Sequence, residues 1–246
     1  MNTKDDEWQT LGWLNGAREL IQWTRKQSEN HPVLLVIRHS HRDDSTNFQE
    51  LQKKHLTDLG QQMAYCFGKK LPPNRNLEPS YSGLPRCQET VQAIREGYVD
   101  KGNHADLVSS IPIIMGPQGN EDRIGHEMLK LGSAEFVRMW TEGKLSEEII
   151  VPIEEFSAAF LRETLGRLRD ASKNLLHIHA THDLMIMGIR SILFGTIPSD
   201  NNWTSYLGGF GIALADGKIH AFEEGKELMF DDDALLISLT SSEKPL

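Results

Sequence analysis

The apolar run Val33-Leu34-Leu35-Val36-Ile37 predicts a short strand buried on both faces. Ahead of it, Leu11, Leu14, Ala17, Leu20, Ile21 and Thr24 recur at helical spacing, which predicts a helix over 12–28 that Pro32 stops. Residues 43–55 are polar and read as a loop or an irregular helix. Thr57 followed by Asp58 reads as an N-cap, and the helix it opens runs to about residue 70 with Met63, Ala64 and Phe67 on its buried side. Pro72-Pro73-Asn74 is a breaker. A second strand is expected at 77–82, a helix with Pro85 in its first turn at 85–98, and a third strand at 111–115. Phe156, Phe160, Leu165 and Leu168 predict a long amphipathic helix over 153–172, followed by a strand at 175–180 and a helix at 184–194. Apolar runs at 210–214 and 219–222 flank Ala215-Asp216-Gly217-Lys218, an Asp-Gly hairpin signal.

Strands that alternate with helices predict an α/β protein, a three-layer α/β/α sandwich around a mainly parallel central sheet that an antiparallel hairpin closes. The stretch 116–151 is rich in glycine, charge and short helical patterns, and is expected as a small cap inserted over the active face. The 246 residues otherwise read as a single domain, 1–246. Ligands of such sheets sit beyond the carboxyl ends of the strands. Arg38-His39 and His182-Asp183 both fall at such ends.

Composition narrows the classes of partner. Hydrophobic content of 39% and charged content of 25% are ordinary for a globular enzyme. The net charge of −9 argues against a nucleic-acid partner and against an anionic membrane surface. Any pocket for an anion must therefore be a local positive island. Two cysteines, Cys66 and Cys87, make no disulfide framework, residues 1–6 are unlike a signal peptide, and no apolar run approaches membrane-spanning length. These features lead to the expectation of a cytoplasmic protein with a small-molecule ligand; its oligomeric state is not legible.

Three segments carry candidate chemistry. Arg38-His39-Ser40-His41-Arg42 sets an imidazole between guanidiniums at a strand end. Such an arrangement suits a phosphate dianion, which the arginines orient while the ring nitrogen attacks. Ser82-Gly83-Leu84-Pro85-Arg86-Cys87-Gln88-Glu89-Thr90 places Arg86 at a helix N-terminus, where the dipole already favours an anion. His177-Ile178-His179-Ala180-Thr181-His182-Asp183 ends a strand with a second histidine beside a carboxylate.

Taken in order, Arg38-His39, Leu56-Thr57-Asp58-Leu59-Gly60, the segment from Ser82 to Thr90, and Thr181-His182-Asp183 resemble the histidine phosphatase superfamily. That group includes acid phosphatases, phytases and the cofactor-dependent phosphoglycerate mutases. The resemblance implies a phosphoglycerate mutase-like fold, with His39 as a nucleophile that becomes a phosphohistidine. Arg38, Arg86 and His182 would complete the phosphate pocket. Arg42 matches an extra arginine of the acid-phosphatase and phytase branch, and Asp183 matches that branch's His-Asp pair, in which the Asp protonates the leaving group. Ser40 stands where glycine is usual, and the Gly-x-Trp-Glu segment of the mutase branch is absent. The function expected is a phosphomonoester hydrolase that needs no metal or cofactor, because arginines do the charge work.

Other readings stay open beside it. Glu121 is a rival general acid, since other branches draw theirs from that region. A phosphomutase would keep the phosphohistidine and pass the group to a second hydroxyl, and a non-catalytic phospho-ligand binder would keep only the pocket. From a different class, His39-x-His41 and His177-x-His179 with His182 could ligate zinc in a hydrolase. Against that, His177 and His179 read as packed strand residues and His41 as part of the pocket rim. Asp183 could simply cap the following helix. Cys87 reads as a small buried residue. Trp140, Trp203 and Tyr206 read as ordinary packing, with a share in the substrate entrance as their other role, and Asp231-Asp232-Asp233 reads as a solvated loop.

Overall fold

The computed structural model describes residues 3–45 and 48–231. The apolar run becomes β1 (Val33–Arg38), whose alternate side chains enter two cores: Val33, Leu35 and Ile37 on one face, Leu34 and Val36 on the other. Burial on both faces is why this strand reads as continuous hydrophobics instead of an alternation. Parallel to it on one side run β4 (Leu175–Thr181), β2 (Asn76–Tyr81) and the two-residue β3 (Ser109–Ser110). On the other side β5 (Gly209–Ala215), β6 (Lys218–Glu223) and β7 (Lys226–Asp231) continue antiparallel. The sheet order is β3-β2-β4-β1-β5-β6-β7, a mixed α/β architecture with a parallel centre.

Helices cover both faces. The first core joins α1 (Thr3–Thr10), α2 (Asn15–Lys26), α4 (Asp58–Lys70) and α5 (Pro85–Val99), with α3 (Phe48–Lys53) in the loop before α4. The second is built from α6 (Glu121–Leu131), α7 (Ser133–Thr141), α8 (Ile153–Asp170) and α9 (Asp183–Phe194). The stretch expected as a cap is thus α6 and α7, and Phe136, Val137 and Trp140 are buried in the same core as α8 and α9. Among the described residues no helix is long and apolar enough to cross a membrane.

Several expectations need correction. Residues 111–115 are not a strand: β3 ends at Ser110, and Pro112–Met115 forms a 3-10 helix whose Ile114 is fully buried. Pro112 has no N–H to give a ladder, so the apolar run turns inward as a helical turn. The predicted 12–28 helix starts as a 3-10 turn, Gly12–Leu14, before α2. Asp183 is not the cap of its helix; His182 holds that position with extended backbone, and Asp183 is the first helical residue. The Asp-Gly hairpin is as expected, with φ of 53° at Asp216 and 73° at Gly217 between β5 and β6. β7 continues that meander to Asp231, so the acidic run begins as strand; Asp232 and Asp233 lie outside the described residues.

Candidate active site

Parallel β1 and β4 end side by side, in register Arg38↔Thr181, so the residues that follow each strand are neighbours. His39 and His182 face each other there, ring centroids 5.7 Å apart. His39 is 2% exposed, and its Nδ1 donates to the Ser40 carbonyl at 2.8 Å. That bond selects the tautomer with a bare Nε2, and among the described residues no hydrogen bond occupies Nε2. Burial first, then His182, Arg38 and Arg86, hold the His39 pKa well below the ordinary imidazole value, outweighing the carbonyl's opposite pull.

The turn after β1 is tied on three sides. The Ser40 N–H donates to Thr90 Oγ1 at 2.9 Å, and the Ser40 hydroxyl donates to the Gly60 carbonyl at 2.7 Å. The Ser40 hydroxyl therefore adds a bond that a glycine at this position could not make. Thr57 caps α4 by accepting from the Gly60 N–H at 3.0 Å, and its own N–H donates to the His41 carbonyl at 3.1 Å. Gly60 lies so close that a Cβ there would collide with the His41 carbonyl. This explains Leu56-Thr57-Asp58-Leu59-Gly60 physically: a cap and a bare backbone let α4 press against the His39 loop. Glu89 closes the arrangement by accepting from the Leu56 N–H at 2.8 Å.

Arg86 sits in the first turn of α5, 6% exposed, and donates to the Leu51 carbonyl at 2.8 Å and to His182 Nδ1 at 3.2 Å. Since a guanidinium can only donate, His182 Nδ1 is the acceptor and its Nε2–H points to Ser82 Oγ at 2.8 Å. Burial, then Arg86, lowers the His182 pKa to about 3, so the ring is neutral at pH 7. Arg42 lies close enough for its charge to act on both Arg86 and His182; it donates to Asp44 at 3.1 Å.

Arg38 pairs with Asp183 at 2.8 Å, donates to the Thr204 carbonyl at 2.8 Å, and stacks on the Tyr206 ring at 4.3 Å. Asp183 also accepts from the Trp203 indole N–H at 3.1 Å and from the Leu184 N–H at 2.9 Å. Burial alone would raise the Asp183 pKa, but Arg38, Trp203 and His182 together hold it below the usual carboxylate value. The carboxyl is therefore ionised.

The structure thus brings Arg38, His39, Arg42, Arg86, His182 and Asp183 together. It does not bring Glu121 to them. Glu121 is exposed at the start of α6 and lines a cavity of about 850 Å³ with Ile111, Met115, Phe156 and Glu155, and none of the six clustered groups lines that cavity. His177 and His179 stay in the sheet, buried; His177 Nδ1 lies 3.5 Å from a Glu78 carboxylate oxygen, and among the described residues no hydrogen bond reaches the His179 ring nitrogens. His41 packs between Trp13 and Tyr206 at the rim. Among the described residues no three His, Cys, Asp or Glu side chains converge as metal ligands. Burial pushes the Cys87 thiol up to about 12, which leaves it inert. Trp140 is core, donating to the Val151 carbonyl at 2.7 Å.

Residues 203–206 form a wall in which Trp203 and Tyr206, read from the sequence as packing with a share in the substrate entrance as their other role, stand beside Asp183 and Arg38. Its signal is topological: Ile37 pairs with Gly209, so the residues entering β5 must lie beside those leaving β1.

No family model and no curated protein sequence matches this chain. Solved structures do. Bacillus stearothermophilus YhfR superposes over 79% of this chain and 97% of its own, with 17% identity and a TM-score of 0.52. Phosphoglycerate mutase from Bacillus anthracis str. Sterne does so over 87% and 100%, with 14% identity and a TM-score of 0.50. A candidate alpha-ribazole-5'-P phosphatase from Escherichia coli K-12 covers 80% and 97%, with 16% identity and a TM-score of 0.50. With Arg38-His39 and His182 at adjacent ends of parallel strands, the chain has a phosphoglycerate mutase-like fold.

Proposed function

We propose that this protein hydrolyses phosphomonoesters through a phosphohistidine on His39, without a metal. The observation that carries the reading is a buried neutral imidazole with Nδ1 pinned to a carbonyl and Nε2 free, among Arg38, Arg42 and Arg86. A phosphomonoester is close to a dianion at pH 7, its second pKa being about 6. Guanidiniums on its non-bridging oxygens reduce its repulsion of a nucleophile and stabilise the transition state. Nε2 attacks phosphorus, the ester P–O bond breaks, and the leaving oxygen takes a proton. Water then attacks the phosphohistidine and releases phosphate.

Asp183 is the proposed acid in the first step and base in the second. It is ionised in the free protein through Arg38. A bound dianion draws on the same guanidinium, weakens that pairing and adds negative charge nearby, both of which raise the carboxyl pKa. His182 offers its Nε2–H, now on Ser82, to a phosphate oxygen.

The test is p-nitrophenyl phosphate hydrolysis in excess EDTA. Wild type should turn over, and His39→Ala should lose at least about 10³-fold in kcat. Quenching wild type with labelled substrate in alkaline detergent should trap a phosphoprotein that is stable to base and loses its label in acid. Activity that EDTA abolishes and zinc restores would overturn the reading in favour of a metallohydrolase. Transfer to an added alcohol phosphate acceptor that outruns phosphate release would make the protein a mutase.

A further inference from the structure

Arg190 lies on α9, two turns below Asp183, and it is 1% exposed. Its Nε donates to Glu223 at the end of β6, and its Nη2 pairs with the Glu224 carboxylate at 3.1 Å. The third nitrogen reaches upward, donating to the Asn202 carbonyl at 3.3 Å and to Thr204 Oγ1 at 3.0 Å. Glu223 is itself buried and also takes the Thr196 hydroxyl. A charged pair with both side chains almost fully out of water is expensive to bury, and what it provides is directional geometry.

That geometry ends on the wall of the candidate site. Asn202 and Thr204 flank Trp203, whose indole N–H holds Asp183, and the Thr204 carbonyl holds Arg38. The Arg190 guanidinium thus stands behind two of the bonds that set the direction of Arg38 and the charge of Asp183, without touching either group itself.

We propose that Arg190, held by Glu223, is a positioning residue: it locks 202–204 so that Trp203 and Thr204 keep Asp183 and Arg38 in their working orientation. The proposal rests on the phosphatase reading for its kinetic consequence, but its structural consequence does not.

Arg190→Met alone would leave Glu223 as a bare buried charge, so the double variant Arg190→Met/Glu223→Leu keeps the fold while removing the clamp. Two readouts apply. In wild type the Trp203 indole N–H, assigned through Trp203→Phe, should be protected from exchange; in the double variant that protection should fall at least tenfold while other core amides keep theirs. An unchanged Trp203 signal overturns the proposal, whether or not the protein is a phosphatase. In kinetics on glycerol 2-phosphate, kcat should fall about 10- to 100-fold with KM changed less than threefold. Loss of the Trp203 bond, which depresses the carboxyl pKa, should move the Asp183-dependent limb of the kcat–pH profile to higher pH. Trp203→Phe should shift that limb the same way. A loss of kcat that tracks folded fraction, with the profile unmoved, would make Arg190 merely structural. Wild type inactive on every phosphomonoester, with Trp203 responding as stated, would sink the phosphatase reading and leave the clamp standing.

Discussion

Asp183 is ionised in the free protein, yet the proposed reaction asks it to give up a proton. Its pairing with Arg38 at 2.8 Å is what has to yield. Asp183→Asn should therefore slow esters of poor leaving groups, such as glycerol 2-phosphate, by about 10²- to 10⁴-fold. p-Nitrophenyl phosphate, whose leaving group needs no proton, should slow far less. Equal slowing of both substrates would remove Asp183 from the acid's role and return attention to Glu121. A second residue-scale outcome concerns Gly60. Gly60→Ala forces a Cβ into the His41 carbonyl, so it should destabilise the fold by about 2 kcal/mol in urea titrations and raise KM through displacement of the His39 loop. An alanine variant with wild-type stability and KM would show that α4 does not press on that loop. Buried arginines are not all of one kind here: Arg75 donates to the carbonyls of Ser28 at 2.8 Å and His31 at 2.9 Å, at the opposite end of the sheet from His39.

At the scale of elements, what is legible in the sequence follows how local the determinants are. The run 33–37 and its Arg38-His39 end need only two faces of burial and a strand end, and both are written in consecutive residues. The helix over Asp58–Lys70 is announced by Thr57, whose hydroxyl accepts from the Gly60 N–H. Removing that cap with Thr57→Ala should lower stability by about 1 kcal/mol, measured by urea denaturation, and loosen the His41 rim it also binds. Little or no loss would mean that packing alone starts α4. The 111–115 segment misleads because its apolar pattern suits a strand, while Pro112 decides for a 3-10 turn that Thr181 Oγ1 anchors at the Ile114 carbonyl, 2.5 Å away. Trp203 and Tyr206 read first as packing, and Thr204 is not singled out at all, for another reason. Their place depends on an antiparallel pairing, Ile37↔Gly209, between segments far apart in the chain, which no spacing rule reports.

The whole molecule should carry an acid sensitivity that the proposed phosphate chemistry does not need. His177 is 3% exposed and His179 1%, on the face of β4 beneath α8, and burial holds both pKa values below the ordinary imidazole value, that of His177 at about 4. In the unfolded chain the same rings titrate near 6.5. The folded value is the lower one, so the stability at stake is fully present above about pH 6.5 and is lost as pH falls toward 4. For His177 the full loss is roughly 3 kcal/mol. Urea unfolding at pH 7.5 and 4.5 should show His177→Leu losing about 2–3 kcal/mol less than wild type between those two conditions. Equal losses would show that His177 is not the sensor.

The contacts from Arg38 to Thr204 and from Arg86 to His182 join residues 166 and 96 positions apart. No fragment of the polypeptide owns the proposed anion seat, which would exist only once the central strands have zipped together. Inorganic phosphate should consequently recognise the native state and ignore the denatured one, protecting against heat by about 2.7 kcal/mol when present at a hundred times its dissociation constant.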